Sequence, residues 1–238
     1  MHNTVRDIQN TINAEKVFMA LTGKGNFRYH IAKTQPYKER TDEKPYHYKN
    51  IRAYIQSEWP TLTVDGLEAD DLLGIAMTEH PGKYICCSVD KDLRQIPGMQ
   101  YSWEHYLAPS FGPELVDEIG WIRLNDKRNK IVGVGSKFFH AQILTGDSVD
   151  DIPGIPKYGP VKAFNTLEPY NTIPEFEKAV REAYNGFYGD RGDERMIETG
   201  QLLYMSRERK DNLVKLYLPS FVDGSRWINF QTGEIIDS

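Results

Sequence analysis

The sequence predicts an α/β protein with a mostly parallel central sheet flanked by helices, followed by a C-terminal helical subdomain. Between residues 16 and 103, apolar runs typical of buried strands alternate with segments of helical period, which is the rhythm of β-α-β units. From about residue 136 onward, helical segments and turns dominate. We therefore predict an α/β core over residues 1–135 and a helical subdomain over residues 136–238.

The individual elements follow from the spacing of apolar residues. Apolar positions three or four apart predict a helix, and short uninterrupted apolar runs such as "KVFMALT" and "KYICCSV" predict buried strands. The predicted core has helices at 4–13, 46–59 and 66–80, and strands at 16–22, 61–64, 83–89 and 99–103. The second part has predicted helices at 136–146, 159–167, 173–184 and 194–206.

Composition argues against several classes of protein. The chain has 238 residues, of which 39% are hydrophobic, and no apolar run is long enough to cross a membrane. The start, "MHNTVRDIQN", lacks the apolar segment of a secretory signal peptide. Cys86 and Cys87 are adjacent in an apolar run, which indicates a reduced protein of the cytoplasm rather than a disulfide framework. His and Cys are too scattered to predict a zinc site.

The net charge of −5 hides two oppositely charged tracts. Residues 15–52 contain nine Lys or Arg and four acidic residues, whereas residues 65–92 contain seven acidic residues and two Lys. A basic tract can hold a polyanion and an acidic cluster can hold metal ions, although two ordinary solvated faces would explain the same charges.

Acidic residues form three short clusters that together indicate metal binding. Each cluster has a local explanation, since acids suit the first turn of a helix and often cap the helix that follows a strand. Three clusters of oxygen ligands instead favour hard cations such as Mg²⁺, two of which, about 4 Å apart, can clamp a phosphodiester. Such cations would also relieve the repulsion between the carboxylates. The clusters are Glu68, Asp70 and Asp71 in "GLEADDLLG", Asp90 and Asp92 in "SVDKDLRQI", and Asp147 and Asp150 in "LTGDSVDD".

The turn after the third cluster predicts a contact with a nucleic-acid backbone. Glycines and prolines in "IPGIPKYGP", residues 152–160, allow tight turns, and the next helix offers free backbone N–H groups to a phosphate. Such a helix–hairpin–helix-like pattern binds without reading bases, although the turn alone is more often an ordinary loop. The candidate binding residues are Gly154, Lys157, Gly159 and Lys162.

Together, "EADDLLG", "SVDKDLRQI" and "LTGDSVDDIPGIPKYGPVKA" resemble the structure-specific 5′-nuclease family. This family includes flap endonucleases, phage 5′–3′ exonucleases and the nuclease domain of bacterial repair polymerases. The motifs agree in order and spacing over roughly residues 16–168, and "ALTGKGNFR" is most like a phage-encoded member. The resemblance implies a PIN-like sheet core and a helix–three-turn–helix at about 136–168 that holds duplex DNA.

The resemblance also implies roles for individual residues. Lys38 and Arg40, in "YKER", match residues that grip the scissile phosphate, and Arg28 matches a further basic catalytic residue. Tyr37 matches an aromatic residue on which a base stacks, although an exposed loop would explain any one of these residues. The first two acidic clusters would hold one Mg²⁺ or Mn²⁺ and the third a second ion, with a monovalent cation at the hairpin turn. Asp151 stands where the family usually has Asn.

We therefore predict a Mg²⁺-dependent 5′–3′ exonuclease or flap endonuclease that leaves 5′-phosphate products. Its substrate would be branched or 5′-ended duplex DNA or an RNA–DNA hybrid. We expect it in the cytoplasm, or in the cytoplasm of the host if a phage encodes it. Two alternatives stay open. One is a truncated or split-gene form that binds branched DNA with little catalysis, and the other is a small RNase, which would not need a duplex clamp.

Two departures from the family pattern bear on activity. The family begins with a strand carrying a metal-binding Asp, whereas this sequence runs from a short helix directly into "KVFMAL". Thr22 and Gly23 stand where the family often has another Asp. We therefore expect an unpaired sheet edge, as in an incomplete version of a longer nuclease, and poor cleavage unless an upstream polypeptide segment supplies the strand. A replicative polymerase is a second expected partner.

Overall fold

The computed structural model describes residues 2–38, 43–106 and 109–238. Its helices are α1 (His2–Thr11), α2 (Arg28–Ile31), α3 (Tyr48–Glu58), α4 (Ala69–Glu79), α5 (Gly135–Thr145), α6 (Pro160–Leu167), α7 (Ile173–Tyr188) and α8 (Gly192–Leu203). Its strands are β1 (Met19–Ala20), β2 (Thr61–Leu62), β3 (Ile85–Cys87), β4 (Gly98–Ser102), β5 (Phe111–Val116), β6 (Trp121–Leu124), β7 (Ile131–Val134), β8 (Gly146–Asp147), β9 (Ile152–Pro153), β10 (Arg209–Lys210), β11 (Leu213–Lys215), β12 (Arg226–Asn229) and β13 (Ile235–Asp237). The predicted α/β class is confirmed.

The parallel strands of the core form two separate small sheets. β1 pairs in parallel with β2, β3 pairs in parallel with β4, and β5 joins the second sheet antiparallel to β4. The predicted single, mostly parallel sheet is therefore divided, and in the part of the chain described, β1 and β3 each pair on one side only. The rings of Phe18 and Tyr84, which directly precede these two strands, have centroids 6.4 Å apart. The beginnings of β1 and β3 therefore lie close together.

Helix α5 is the central helix of the fold. Residues 135–144 of this helix are all buried, and a helix that is buried all round belongs inside the protein. Around it, one hydrophobic cluster contains Leu72 from α4 together with Phe139 from α5 and Phe176 from α7. Residues on both sides of position 135 therefore share one core, and the division into two parts stays a prediction.

The last part of the chain differs from the predicted helical subdomain. Strands β10–β13 form a four-stranded antiparallel sheet in sequence order. Each strand is only two to four residues long, too short to show the period of two by which a strand is recognised in a sequence. The sheet is anchored by Val214, Ile228 and Phe230, each of which is at most 2% exposed.

Among the described residues, no helix has the length and apolar character needed to cross a membrane.

Candidate active site

The first acidic cluster lies at the start of α4 and includes a capping box. The side chain of Glu68, the N-cap residue, accepts a hydrogen bond from the third helical backbone N–H, and the Asp71 carboxylate accepts the Glu68 N–H at 3.2 Å. These reciprocal bonds satisfy backbone donors that have no partner within the helix. The local explanation for acids in a first turn therefore holds for this pair.

Arg28 is buried, and its guanidinium pairs with Asp71. Its Nη1 and Nη2 donate to the two Asp71 carboxylate oxygens at 2.9 and 2.8 Å. Its remaining N–H groups donate to the carbonyls of Leu202 and Tyr204 at 2.9 and 2.7 Å and to Glu68 at 3.3 Å. Although burial raises the pKa of the Asp71 carboxyl, the Arg28 guanidinium holds it below its ordinary value. Because every guanidinium N–H is engaged, the structure favours a positioning role over the predicted catalytic one.

Lys38 links the first acidic cluster to the third. Its Nζ lies 2.6 Å from Glu68 Oε1 and 3.2 Å from Asp150 Oδ2, and its backbone N–H donates to the Asp150 carbonyl. The backbone of Lys38 has a φ of +49°, a left-handed conformation that non-glycine residues keep only where the surroundings enforce it. Arg40, its predicted partner on the phosphate, lies outside the described residues.

Tyr37 contacts both partners of the ion pair between Lys38 and Glu68. Its hydroxyl donates to Glu68 at 2.9 Å, and its ring lies 5.0 Å from the Lys38 ammonium. Only 4% of the residue is exposed, so the ring offers no free face to a base. The structure therefore favours a role in holding Glu68 and Lys38, and the predicted stacking role does not fit this position.

The second acidic cluster meets the third across another lysine. Asp90 begins the short 3₁₀ helix Lys91–Gln95 and accepts the Asp92 N–H at 2.9 Å. Lys91 Nζ lies 2.6 Å from Asp92 Oδ1 and 3.9 Å from Asp147 Oδ2. Gln142, on α5, donates to the same Asp92 oxygen at 2.6 Å. The predicted convergence of the three clusters is thus present in the structure, and lysine ammonium groups stand between them.

The carboxylates at this site carry unbalanced negative charge. Burial, followed by the charge of Asp90 and then of further neighbouring carboxylates, raises the pKa of Asp70 to about 7. Burial also raises the pKa values of Asp92 and Asp150, against the opposing effect of the nearby lysines. A set of carboxylates whose pKa values are raised together would be stabilised by an added cation.

The donor set fits a divalent cation. The side chains enclose a cavity of about 40 Å³, and the buried Oε1 of Gln95, which also lines it, has no hydrogen-bond partner among the described residues. Oxygen ligands, excess negative charge and an unused acceptor suit Mg²⁺ or Mn²⁺ with some of its water ligands. Within residues 2–38, 43–106 and 109–238, no three His, Cys, Asp or Glu are already arranged to hold a metal ion. The carboxylates lining the cavity are Glu68, Asp70, Asp92, Asp147 and Asp150.

The third cluster is carried by a tight hairpin between α5 and α6. β8 and β9 pair antiparallel, with Asp147 opposite Ile152. Gly154 lies so close to the backbone of Gly146 and Thr145 that a Cβ atom would overlap them. Glycine at 154 is therefore needed for the close approach that places Asp147 beside the cavity.

The start of α6 presents an open surface next to this hairpin. Gly159 is the N-cap of α6, and a groove of about 520 Å³ extends from it to Lys162. Lys157, in the preceding turn, is exposed and has a φ of +60°. The sequence predicts phosphate binding at these residues. Both lysines are exposed, and the Lys162 ammonium lies 4.2 Å from the centre of the Tyr158 ring.

Sequence reasoning did not single out Lys91, Gln95 or Gln142. Lys91 could have been noticed as a basic residue flanked by two acids in "VDKD". Gln142 gives no such signal, since it stands in an otherwise apolar helical run, and only packing brings it to Asp92.

Comparison with known proteins shows that the chain is similar to 5′-nucleases, which confirms the resemblance seen in its motifs. No family model matches the sequence. The flap endonuclease Xni of Shewanella loihica is 29% identical over 110 residues, which are 44% of this chain and 39% of that protein. The Xni of Shewanella halifaxensis is 24% identical over 136 residues, 55% of this chain and 49% of that protein. DNA polymerase I of Rhizobium leguminosarum is 29% identical over 119 residues, 48% of this chain and 10% of that protein.

The chain thus spans less than half the length of each of these relatives. Among solved structures, T5 5′-exonuclease with bound divalent zinc ions superposes with a TM-score of 0.61 at 17% identity, covering 84% of this chain and 78% of that one. The bacteriophage T5 flap endonuclease in a pseudo-enzyme-product complex with DNA and metal ions gives 0.60 at 17% identity, with the same coverage. The likeness establishes a shared fold.

Proposed function

We propose that this protein is a divalent-metal-dependent 5′-nuclease that cleaves branched or 5′-ended duplex DNA and leaves 5′-phosphate ends. The observation that supports this best is the convergence of three acidic clusters on one cavity, with Lys38 at its edge. Relatives of the chain are named flap endonucleases, and a structural neighbour was solved with DNA and metal ions.

Metal ions would be held by the carboxylates that line the cavity. Asp70, Asp90 and Asp92 would bind one Mg²⁺ or Mn²⁺ together with Glu68, and Asp147 and Asp150 would bind a second. Bound divalent cations supply activation of water and neutralisation of the charge that develops on the phosphate. Asp71, predicted from the sequence as a metal ligand, is fully buried and has both carboxylate oxygens paired with Arg28. Its role would instead be to fix, with Arg28, the first turn of α4 and so the direction of the neighbouring carboxylates.

The remaining residues orient the substrate. Lys38, on its constrained backbone, lies where it could donate to the phosphate that is being cut. We expect α5, the β8–β9 hairpin and α6 to act as the predicted helix–three-turn–helix. They would hold the duplex through Gly159, Lys157 and Lys162, because backbone N–H groups and lysines bind phosphates without reading sequence. Asp147 and Asp150 of the hairpin segment line the cavity, and α6 begins shortly after the hairpin, so the sites of cutting and of duplex binding would lie next to each other.

A cleavage assay tests the proposal. A 5′-labelled flap substrate should be cut with Mg²⁺ and left intact with EDTA, and a ligase should join the product ends if they carry a 5′-phosphate. Asp90→Ala and Asp92→Ala should each abolish cleavage under single-turnover conditions while DNA affinity stays within a few-fold. The matched control Asp126→Ala, in the exposed turn between β6 and β7, should cut like the unchanged protein. Wild-type rates in both Ala variants would contradict the assignment.

The divided sheet favours a second candidate, a DNA-binding form with little catalysis of its own. Where the structure describes the chain, β1 and β3 each have one unpaired edge, and their beginnings lie close together at Phe18 and Tyr84. An extended segment from another polypeptide could add a strand there. Flap cleavage should then rise by orders of magnitude when an Asp-bearing strand segment is added. A turnover of about 1–10³ s⁻¹, typical of enzymes, by this chain alone would exclude this candidate.

A further inference from the structure

We propose that Lys91 is a built-in counter-ion that occupies the cation position between the second and third acidic clusters, and that a divalent cation binds there by displacing it. The proposal deepens the proposed function, since it depends on cation binding by the same carboxylates. It concerns binding of the metal before any DNA is present.

The position of the Lys91 ammonium is the first observation. It lies 2.6 Å from Asp92 Oδ1 and 3.9 Å from Asp147 Oδ2, so it joins two carboxylates that are distant in sequence. The carboxylate of Asp90 is at the start of the same short helix. A single positive charge does not neutralise several carboxylates, and a divalent ion would neutralise more of their negative charge.

The exposure of Lys91 makes displacement easy. Its side chain is 58% exposed, so the ammonium can turn into solvent without leaving a buried polar group unpaired. An ion pair whose lysine is this exposed contributes little to stability. The Asp92 oxygen would keep its hydrogen bond from Gln142, which holds the carboxylate in place after the lysine has left.

Lys38 shows the same arrangement on the other side of the cavity. Its ammonium bridges Glu68 and Asp150 at 2.6 and 3.2 Å, and its side chain is 33% exposed. The first and third clusters, and the second and third clusters, are therefore each bridged by a lysine. This repetition explains how the carboxylates can stand together without metal, and it makes lysine displacement a general step in filling the site.

Titration with Mn²⁺ alone, by calorimetry and without DNA, tests the proposal on Lys91→Met. Loss of a competing pair worth up to about 1 kcal/mol should tighten Mn²⁺ binding about fivefold. Lys215→Met is the matched control, because Lys215 forms a lysine–glutamate pair of 2.8 Å with Glu208 on the C-terminal sheet. Its Mn²⁺ affinity should equal that of the unchanged protein. Unchanged or weaker binding by Lys91→Met, and likewise by Lys91→Gln, would overturn the proposal.

A second measurement separates displacement from simple repulsion between the lysine and the metal. Reductive methylation followed by mass spectrometry reports how freely each lysine reacts. Saturating Mg²⁺ should increase the reaction of Lys91 several-fold and leave Lys215 unchanged. Equal reaction of Lys91 with and without Mg²⁺ would mean that it stays in place, and would refute displacement. Absence of Mn²⁺ binding in every variant would overturn the proposal, whereas binding without flap cleavage would overturn the proposed nuclease function alone.

Discussion

Breaking the ion pair between Arg28 and Asp71 should destabilise the protein by about 3–5 kcal/mol, because either change leaves one buried charge without its partner. The perturbations are Asp71→Asn, which keeps the shape of the side chain, and Arg28→Met, which keeps much of its length. Both residues are buried, at 3% exposed for Arg28 and 0% for Asp71.

The size of the effect follows from the bonds that are lost. The guanidinium gives two bonds to Asp71, and Asp71 also accepts the Ser206 N–H at 3.0 Å. Arg28 further binds the carbonyls of Leu202 and Tyr204, so its removal also leaves those acceptors without a charged donor. The double variant loses the same pair only once, so it should be less destabilised than the sum of the single variants by about 2–3 kcal/mol.

Urea unfolding of the four proteins, at pH 7 and without metal, gives these free energies, and Mn²⁺ titration of the folded proteins gives a second readout. The positioning role predicts a large loss of stability in each single variant. If Asp71→Asn unfolds at the urea concentration of the unchanged protein but no longer binds Mn²⁺, then Asp71 is a metal ligand and the reasoning is refuted.

Three further outcomes are expected. Lys38→Met should slow the single-turnover rate of flap cleavage at least tenfold with little change in DNA affinity. The control Lys44→Met, at an exposed lysine, should cleave at the rate of the unchanged protein. Equal rates in the two variants would show that Lys38 is not part of the site. Lys157→Met and Lys162→Met should each reduce by about one the slope of log K for DNA binding against log salt concentration, measured by fluorescence anisotropy. An unchanged slope in both variants would show that these lysines do not hold the duplex. Burial lowers the pKa of His140 from 6.5 to about 4, so between these pH values the unfolded chain binds a proton that the folded protein does not. The free energy of unfolding should therefore be unaffected above about pH 6.5 and should fall by about 3 kcal/mol in all as the pH drops to 4. His140→Asn should remove that part of the acid sensitivity in urea unfolding, and an identical pH profile would show that His140 is not its source.

Local sequence patterns were enough to predict the elements that carry the acidic clusters. Asp90 and Asp92 directly follow a strand, and the acids of the first cluster lie in the first turn of a helix, because both placements depend only on residues within a few positions. The two helices on either side of the β8–β9 hairpin were predicted for the same reason, from the period of apolar residues and from glycine and proline in the turn. The C-terminal sheet escaped prediction, since its strands are too short to show a period.

The partners of the charged residues, in contrast, are visible only in the folded protein. In the sequence, Arg28 and Tyr37 belong to an exposed-looking basic segment, whereas in the structure both are buried against the first acidic cluster. Lys38 and Lys91 reach carboxylates of the third cluster, which lies far away in the chain. Local sequence patterns do not carry this information, because the cost of a buried charge and the partner that compensates it depend on which distant segments pack together.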